Sequence, residues 1–166
     1  MAEYLDIVDE NNTVVAQMER GEANKRKRRF RAAKIVIYDS KKNLLLQKRR
    51  KEKPMYPSCW DLGVAETVQA GESIEEAAVR GLIEEMGIYP ERNQVKFHFL
   101  LPFENMKIKR IFGVYSCLYD GRISPQAEEI EEIAWIGFDE LQGFISSHDM
   151  VPSVHPIIKR FPEMFQ

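Results

Sequence analysis

At 166 residues, 44% hydrophobic and 30% charged, the chain is long enough for one globular domain with a real core and too short for two, and a disordered tail is excluded as its main body. No apolar run reaches the roughly 18 to 20 residues that span a bilayer; the first residues (MAEYLDIVDE) lack the basic-then-apolar order of a signal peptide, and Cys59 and Cys117 alone make neither a disulfide framework nor a zinc site, so a cytoplasmic protein without a membrane partner is expected. The net charge of −2 hides an asymmetry, because most Lys and Arg residues lie between Arg20 and Lys53 while the remainder is acidic, a division that suits a basic segment gripping a polyanion and carboxylates holding a cation.

In chain order, residues 4–8 and 13–17 are partly β-branched and flank the turn-like Glu10-Asn11-Asn12, so they read as a hairpin. Residues 19–29 are polar and basic without an apolar stripe, hence a connector or a short exposed helix. Residues 32–38 and 44–48 read as a second hairpin, and 51–58, holding Pro54 and Pro57, as a loop. Further strands are predicted at 60–64, 95–101, 108–119 and 133–136, and final helices near 139–147 and 153–161. Residues 108–115 carry apolar side chains on both parities, as expected of a strand covered on both faces. A single domain, 1–166, follows, with about 1–30 as an N-terminal hairpin extension.

The strongest local signal is a helix over 73–86. Ser73 followed by Glu76 is a capping box, and Gly87 is the left-handed residue expected just past the end. At 100° per residue, Val79, Leu82, Ile83 and Met86 form the apolar face. Arg80 with Glu84, and Gly81 with Glu85, form two rows on the far side. Adjacent carboxylates there suit a hard cation such as Mg2+, although a Glu-Glu pair on a helix is usually only solvated surface.

Setting Gly87 on its last glycine, the segment from Glu66 to Ile88 resembles the box of the Nudix hydrolases, G-x5-E-x7-R-E-U-x-E-E-x-G-U with U aliphatic. Glu72, Arg80, Leu82, Glu84, Glu85, Gly87 and Ile88 match. Leu44 to Arg49, Trp135-Ile136 and Asp139-Glu140-Leu141 are similar to the family before and after the box. Residues 6–12 and 32–61 resemble the branch that includes isopentenyl diphosphate isomerases. The resemblance implies a mixed α/β (α+β) fold with a mixed sheet in an α/β/α sandwich. It also implies a pyrophosphohydrolase of a nucleotide-like diphosphate, with Mg2+, or alternatively Mn2+, as cofactor.

Two positions depart from the pattern: Glu66 replaces the first glycine, and Gly81 replaces the glutamate after the arginine. A carboxylate is lost at one place and gained at the other. In the family fold the loop bearing the first glycine lies beside this helix face, so Glu66 is expected to reach the space above Gly81 as a relocated carboxylate. The catalytic group implied is Glu66, Glu85 and Arg80, with Arg80 pairing with Glu84. The metal ligands implied are Glu84, Glu85, Glu66, Glu72 and, from the acidic run 126–132, Glu129. Arg49 and Lys53 resemble basic substrate-contacting positions, whereas the basic cluster 25–29 reads as solvated connector.

Two rivals remain. Isomerase chemistry would need cysteine and histidine where Ala65 and Thr67 stand, and Cys59 is out of register. A catalytically weak nucleotide-binding module is favoured by Gly81 and opposed by the survival of the other box acids. Nucleic acid is not an expected partner, since the basic run lacks the interleaved aromatics of an RNA module. The N-terminal hairpin suggests a homodimer.

Overall fold

In the computed structural model, which describes residues 1–165, the elements are β1 (Tyr4–Val8), β2 (Val14–Glu19), α1 (Arg20–Lys25), β3 (Arg29–Tyr38), β4 (Asn43–Arg49), β5 (Trp60–Leu62), β6 (Val64–Thr67), α2 (Ile74–Met86), β7 (Val95–Glu104), β8 (Lys109–Leu118), β9 (Ile130–Gly137), α3 (Phe138–Ser147), α4 (Val154–Lys159) and α5 (Phe161–Met164). Strand β3 organises them. From Ala32 to Ile37 every residue is buried, so side chains on both parities face packed layers. β8 pairs with it in parallel along its whole length, from Arg29↔Lys109 to Tyr38↔Leu118, and β6 pairs antiparallel on its other side. β7 extends the sheet beyond β8, and β4 carries β5 and β9 as its own neighbours. The sheet is therefore mixed.

One face packs on α2, where Ala33, Ile35, Ile37 and Val64 meet Ala77, Ala78, Leu82 and Met86. The opposite face packs Val36, Leu46, Trp60 and Phe112 against Leu141, Val154, Ile157 and Phe161 from the C-terminal helices. This is the α/β/α sandwich expected. A third cluster, Leu5, Ile7, Ala23 and Phe30, fastens β1, β2 and α1 to the start of β3. Among the described residues no helix is long and apolar enough to cross a membrane.

Several boundaries differ from those read in the sequence, and of the two readings of 19–29 the short helix is the one formed. Residues 20–25 form a helix because the Glu19 carboxylate caps it, accepting from the amides of Gly21 (3.0 Å) and Glu22 (3.1 Å). β3 begins three residues early, since β8 offers Arg29 to Arg31 a parallel partner. The strand expected at 60–64 breaks at Gly63, and the C-terminal helix breaks at Arg160, just before Pro162. The packed face of α2 is also rotated. Val79 and Ile83 are only half-buried, while Gly81, expected on the far side, is buried with Ala77 and Ala78. Small residues on that side let the helix backbone approach the sheet closely.

Gly63 fixes the break between β5 and β6. Its φ is +49°, and a Cβ there would lie 1.9 Å from the backbone oxygen of Ile35, which has no freedom to retreat. Gly63→Ala is accordingly expected to lose at least about 3 kcal/mol of stability, read from the urea midpoint against wild type.

Candidate active site

Helix α2 is fixed at both ends. The Ser73 hydroxyl accepts from the Glu76 amide (3.1 Å), and the Glu76 carboxylate accepts from the Ser73 amide (2.8 Å). At the other end Gly87 takes φ +64°, and the amides of Gly87 and Ile88 return to Ile83 and Leu82. These caps set the rotation of Arg80, Gly81, Glu84 and Glu85 relative to β6, which runs alongside.

Glu66 lies in β6, in register with Ala33, not in a loop as expected. Its side chain passes over the bare Cα of Gly81: a Cβ added there would stand 2.8 Å from Glu66 Cβ, 2.9 Å from Val64 Cγ1 and 3.2 Å from Glu66 Cγ. The glycine makes the room that the glutamate occupies. The two departures from the box thus describe one contact.

Arg80 gathers the neighbouring acids. Its guanidinium donates to Glu72 (2.9 and 3.0 Å) and to the backbone oxygen of Thr67 (2.8 Å), and stands 3.2 Å from Glu66 and 3.6 Å from Glu84. Its principal partner is Glu72, and Glu84, the partner expected, is the most distant of the three. Burial opposes ionisation of Glu72, but the Arg80 hydrogen bonds and the Gln69 amide outweigh it and hold the carboxyl below its ordinary pKa. Both Glu72 oxygens are therefore already occupied, and Glu72 supports the cluster by holding Arg80. Burial raises the Glu66 pKa even against Arg80.

Glu85 has no such partner. Among the described residues no Lys, Arg or His lies within 4.0 Å of it. It accepts only from the Gln47 amide (3.1 Å), which in turn is held by the Gly63 carbonyl. Burial first, and the Glu66 charge second, push its pKa up to about 8. No three Asp, Glu, His or Cys side chains among the described residues are already gathered as a metal cluster, because Arg80 draws Glu66 and Glu84 to itself. The donor set nevertheless fits a hard divalent ion: all oxygen, and including a carboxylate whose buried charge nothing neutralises.

These groups border a cavity of about 640 Å³ that runs from α2 across β6, β3 and β8 to α1. Arg49 lines it, its Nε tied to the backbone oxygen of Met55 (3.0 Å). Lys53 and Glu129 also line it, and they pair with each other, so the substrate contact and the metal ligand expected there are brought together. Ala65 and Thr67, where the isomerase branch would carry cysteine and histidine, also line it. Sequence reasoning passed over three polar residues in this wall. Lys34 and Asp61 form an ion pair with side chains only 1% and 4% exposed, and Gln47 is equally buried. The signal was present in Ala-Ala-Lys-Ile-Val-Ile, since a lysine inside a central strand requires an anionic partner.

Two measurements follow. In the unfolded chain Glu85 titrates near its ordinary 4.5, and in the metal-free folded protein near 8. The folded state binds more protons between these values, so stability from this group is complete below about 4.5 and is lost as pH rises through 8. Glu85→Gln is expected to raise the Tm of the EDTA-treated protein at pH 8.5, with a smaller gain at pH 5.5. Equal gains at both pH values would contradict the burial. Separately, Gly81→Ala should cost about 1 to 3 kcal/mol through overpacking, despite alanine's better helix propensity. Adding Glu66→Gly should recover most of that loss, and additive urea midpoints across the four proteins would reject the contact.

Residues 28–161 match the NUDIX domain. An uncharacterized Nudix hydrolase of Streptomyces coelicolor is 36% identical over 154 residues, covering 90% of this chain and 83% of that protein. One from Yersinia pestis is 34% identical over 142 residues, covering 84% and 75%. The fold is similar to a Deinococcus radiodurans crystal structure with a TM-score of 0.84 at 23% identity, covering 95% of this chain and 98% of that one. It is also similar to the NUDIX domain of Shewanella oneidensis NrtR complexed with ADP ribose, with a TM-score of 0.67 at 14% identity, covering 90% and 100%.

Proposed function

Because this chain belongs to the Nudix hydrolase family, we propose that it hydrolyses a diphosphate linkage in a nucleoside diphosphate derivative or similar small substrate, by attack of water on phosphorus with Mg2+ as cofactor. The observation that carries this reading is the pairing of Glu66 with Gly81. Glu66, from β6, passes over Gly81, where the helix lacks a carboxylate, and its charge is felt by Glu85; this supports reading it as the replacement.

Glu85 and Glu66 would hold the cation, with Glu84 joining from the helix edge when Arg80 releases it. A divalent ion bound there supplies charge neutralisation for the diphosphate oxygens. The protein's own groups do the rest. Arg49 orients non-bridging oxygens from the end of β4. Lys53, anchored by Glu129, adds a second positive charge at the cavity mouth. Glu66 or Glu85 would take the proton from the attacking water, with Arg80 positioning Glu66 and Glu72 positioning Arg80. Gln47 holds Glu85 in a fixed rotamer, so the pair need not be reorganised during reaction.

One observation favours a second reading, a nucleotide-binding module with little turnover. Arg80 engages both Glu66 and Glu84, so a cation has to compete with a guanidinium for them. Phosphate release from nucleoside di- and triphosphates, nucleotide sugars, dinucleotides and prenyl diphosphates with Mg2+ or Mn2+ separates the two. Turnover is expected for at least one class, falling about 100-fold or more in Glu66→Gln and in Glu85→Gln, the scale of a lost general base. Nucleotide binding without release from any substrate would leave only the binding module, and unchanged turnover in Glu66→Gln would remove the relocated carboxylate.

A further inference from the structure

The charges lining the cavity pair off with two exceptions among the cations. Arg20 stands 2.9 Å from Glu3, Lys34 is bound to Asp61, Lys53 to Glu129, and Arg80 to its three glutamates. Arg49 and Arg110 have no carboxylate within 4.0 Å among the described residues, although both line the cavity. Arg49 lies two residues along β4 from Gln47, hence beside the Glu85 end. Arg110 lies at the other end.

Arg110 is built into its place. It is in register with Phe30, and its guanidinium lies 3.5 Å from the centre of that ring. Its Nη2 donates to the Asn24 side-chain oxygen (3.0 Å) and its Nη1 to the Lys109 carbonyl (2.8 Å), both neutral acceptors. Stacking and two hydrogen bonds fix the cation's position without neutralising it. Burial, with Arg20 close enough to add repulsion, lowers its pKa to about 10. An arginine held this way is unfavourable until an anion enters, and a second guanidinium, that of Arg20, with Glu3 as its ion-pair partner, stands close enough to favour a dianion over a monoanion.

Phe30 is four residues from Lys34 along β3, about 13 Å at roughly 3.3 Å per residue. Lys34 is bound to Asp61, whose charge is felt by Glu85. The cavity is therefore lined by two arginines without carboxylate partners among the described residues, Arg49 on the Gln47 side and Arg110 at the level of Phe30. Resting on the hydrolase reading above, we propose that the substrate bears a second anionic group, a phosphate monoester on the moiety joined to the diphosphate, and that Arg110, with Arg20 and the Asn24 side chain, binds it. Arg110 is then a specificity-determining residue.

The test uses matched pairs that differ by one phosphate: NADH and NADPH, ADP-ribose and its 2′-phosphate, ADP and 3′-phosphoadenosine 5′-diphosphate. The full-length wild type with Mg2+ is expected to favour the phosphorylated member of at least one pair by about tenfold or more in kcat/KM, and Arg110→Gln to bring that ratio within about twofold of unity. Arg110→Lys should keep an intermediate ratio. Ratios near one for every pair in wild type, or a preference that survives in Arg110→Gln, overturn the proposal. Failure of the hydrolase reading has a different signature, no release from either member; calorimetric binding of the same pairs then decides, by the same tenfold preference and its loss. Should Arg110→Gln not fold, Arg20→Gln, on an exposed side chain, replaces it: a several-fold fall in the ratio supports the subsite and an unchanged ratio rejects it.

Discussion

The architecture of this site depends on placing several carboxylates close together where water cannot screen them. Unrelieved, Glu66, Glu72, Glu84 and Glu85 would repel one another and resist ionisation. Arg80 relieves three of the four. Its guanidinium presents its donors in a fixed planar fork, so it organises Glu72 on one side and Glu66 and Glu84 on the other in a way that a lysine could not. The capping box and Gly87 hold α2 in the rotation that this fork requires, and the Ala77, Ala78 and Gly81 face brings it near enough to β6 for the contact to close. Glu85, left outside the network, retains the cost of its burial. That asymmetry leaves one carboxyl of the cluster without a positively charged partner.

A comparable division runs through the cavity. Lys34 and Asp61 are so deeply buried that removing either would strand the other charge, a loss of about 3 to 5 kcal/mol by the usual behaviour of such pairs. They belong to the frame as much as to the site. Arg49 and Arg110, fixed by neutral groups, leave their charge available to whatever enters. The wall thus contains two kinds of arginine and lysine: those satisfied by the protein and those that await an anion.

Much of this was legible before any coordinates, for reasons that differ from element to element. Helix α2 could be read to within a residue because its start and stop are chemical events confined to a few positions, Ser73 with Glu76 and then Gly87. The exchange of carboxylates between 81 and 66 was legible as a compensation, since it appears as a loss and a gain within one motif. Its geometry was not, because that Glu66 lies in a strand follows from its pairing with β3, a partner thirty residues upstream. The packed side of α2 was misjudged for a related reason. Hydrophobicity pointed to Val79 and Ile83, whereas close approach to the sheet selected small residues, a criterion that periodicity does not weigh. Lys34 with Asp61, and Arg110 with Phe30, depend on strand registers between distant segments; composition alone left Lys34 in a basic run that otherwise looked like solvated surface and did not distinguish Arg110.

The wall around Arg110 has another implication. Asn24 comes from α1 and Phe30 from the start of β3, while the carboxylates come from β6 and α2. On the proposed reading, selectivity is written in α1, the start of β3 and β8, and chemistry in β6 and α2. Changes to the hairpin, α1 or the first turn of β3 can reshape what the cavity admits while the box stays as it is. On the proposed reading, relatives sharing the box but differing in α1 and the start of β3 need not share a substrate.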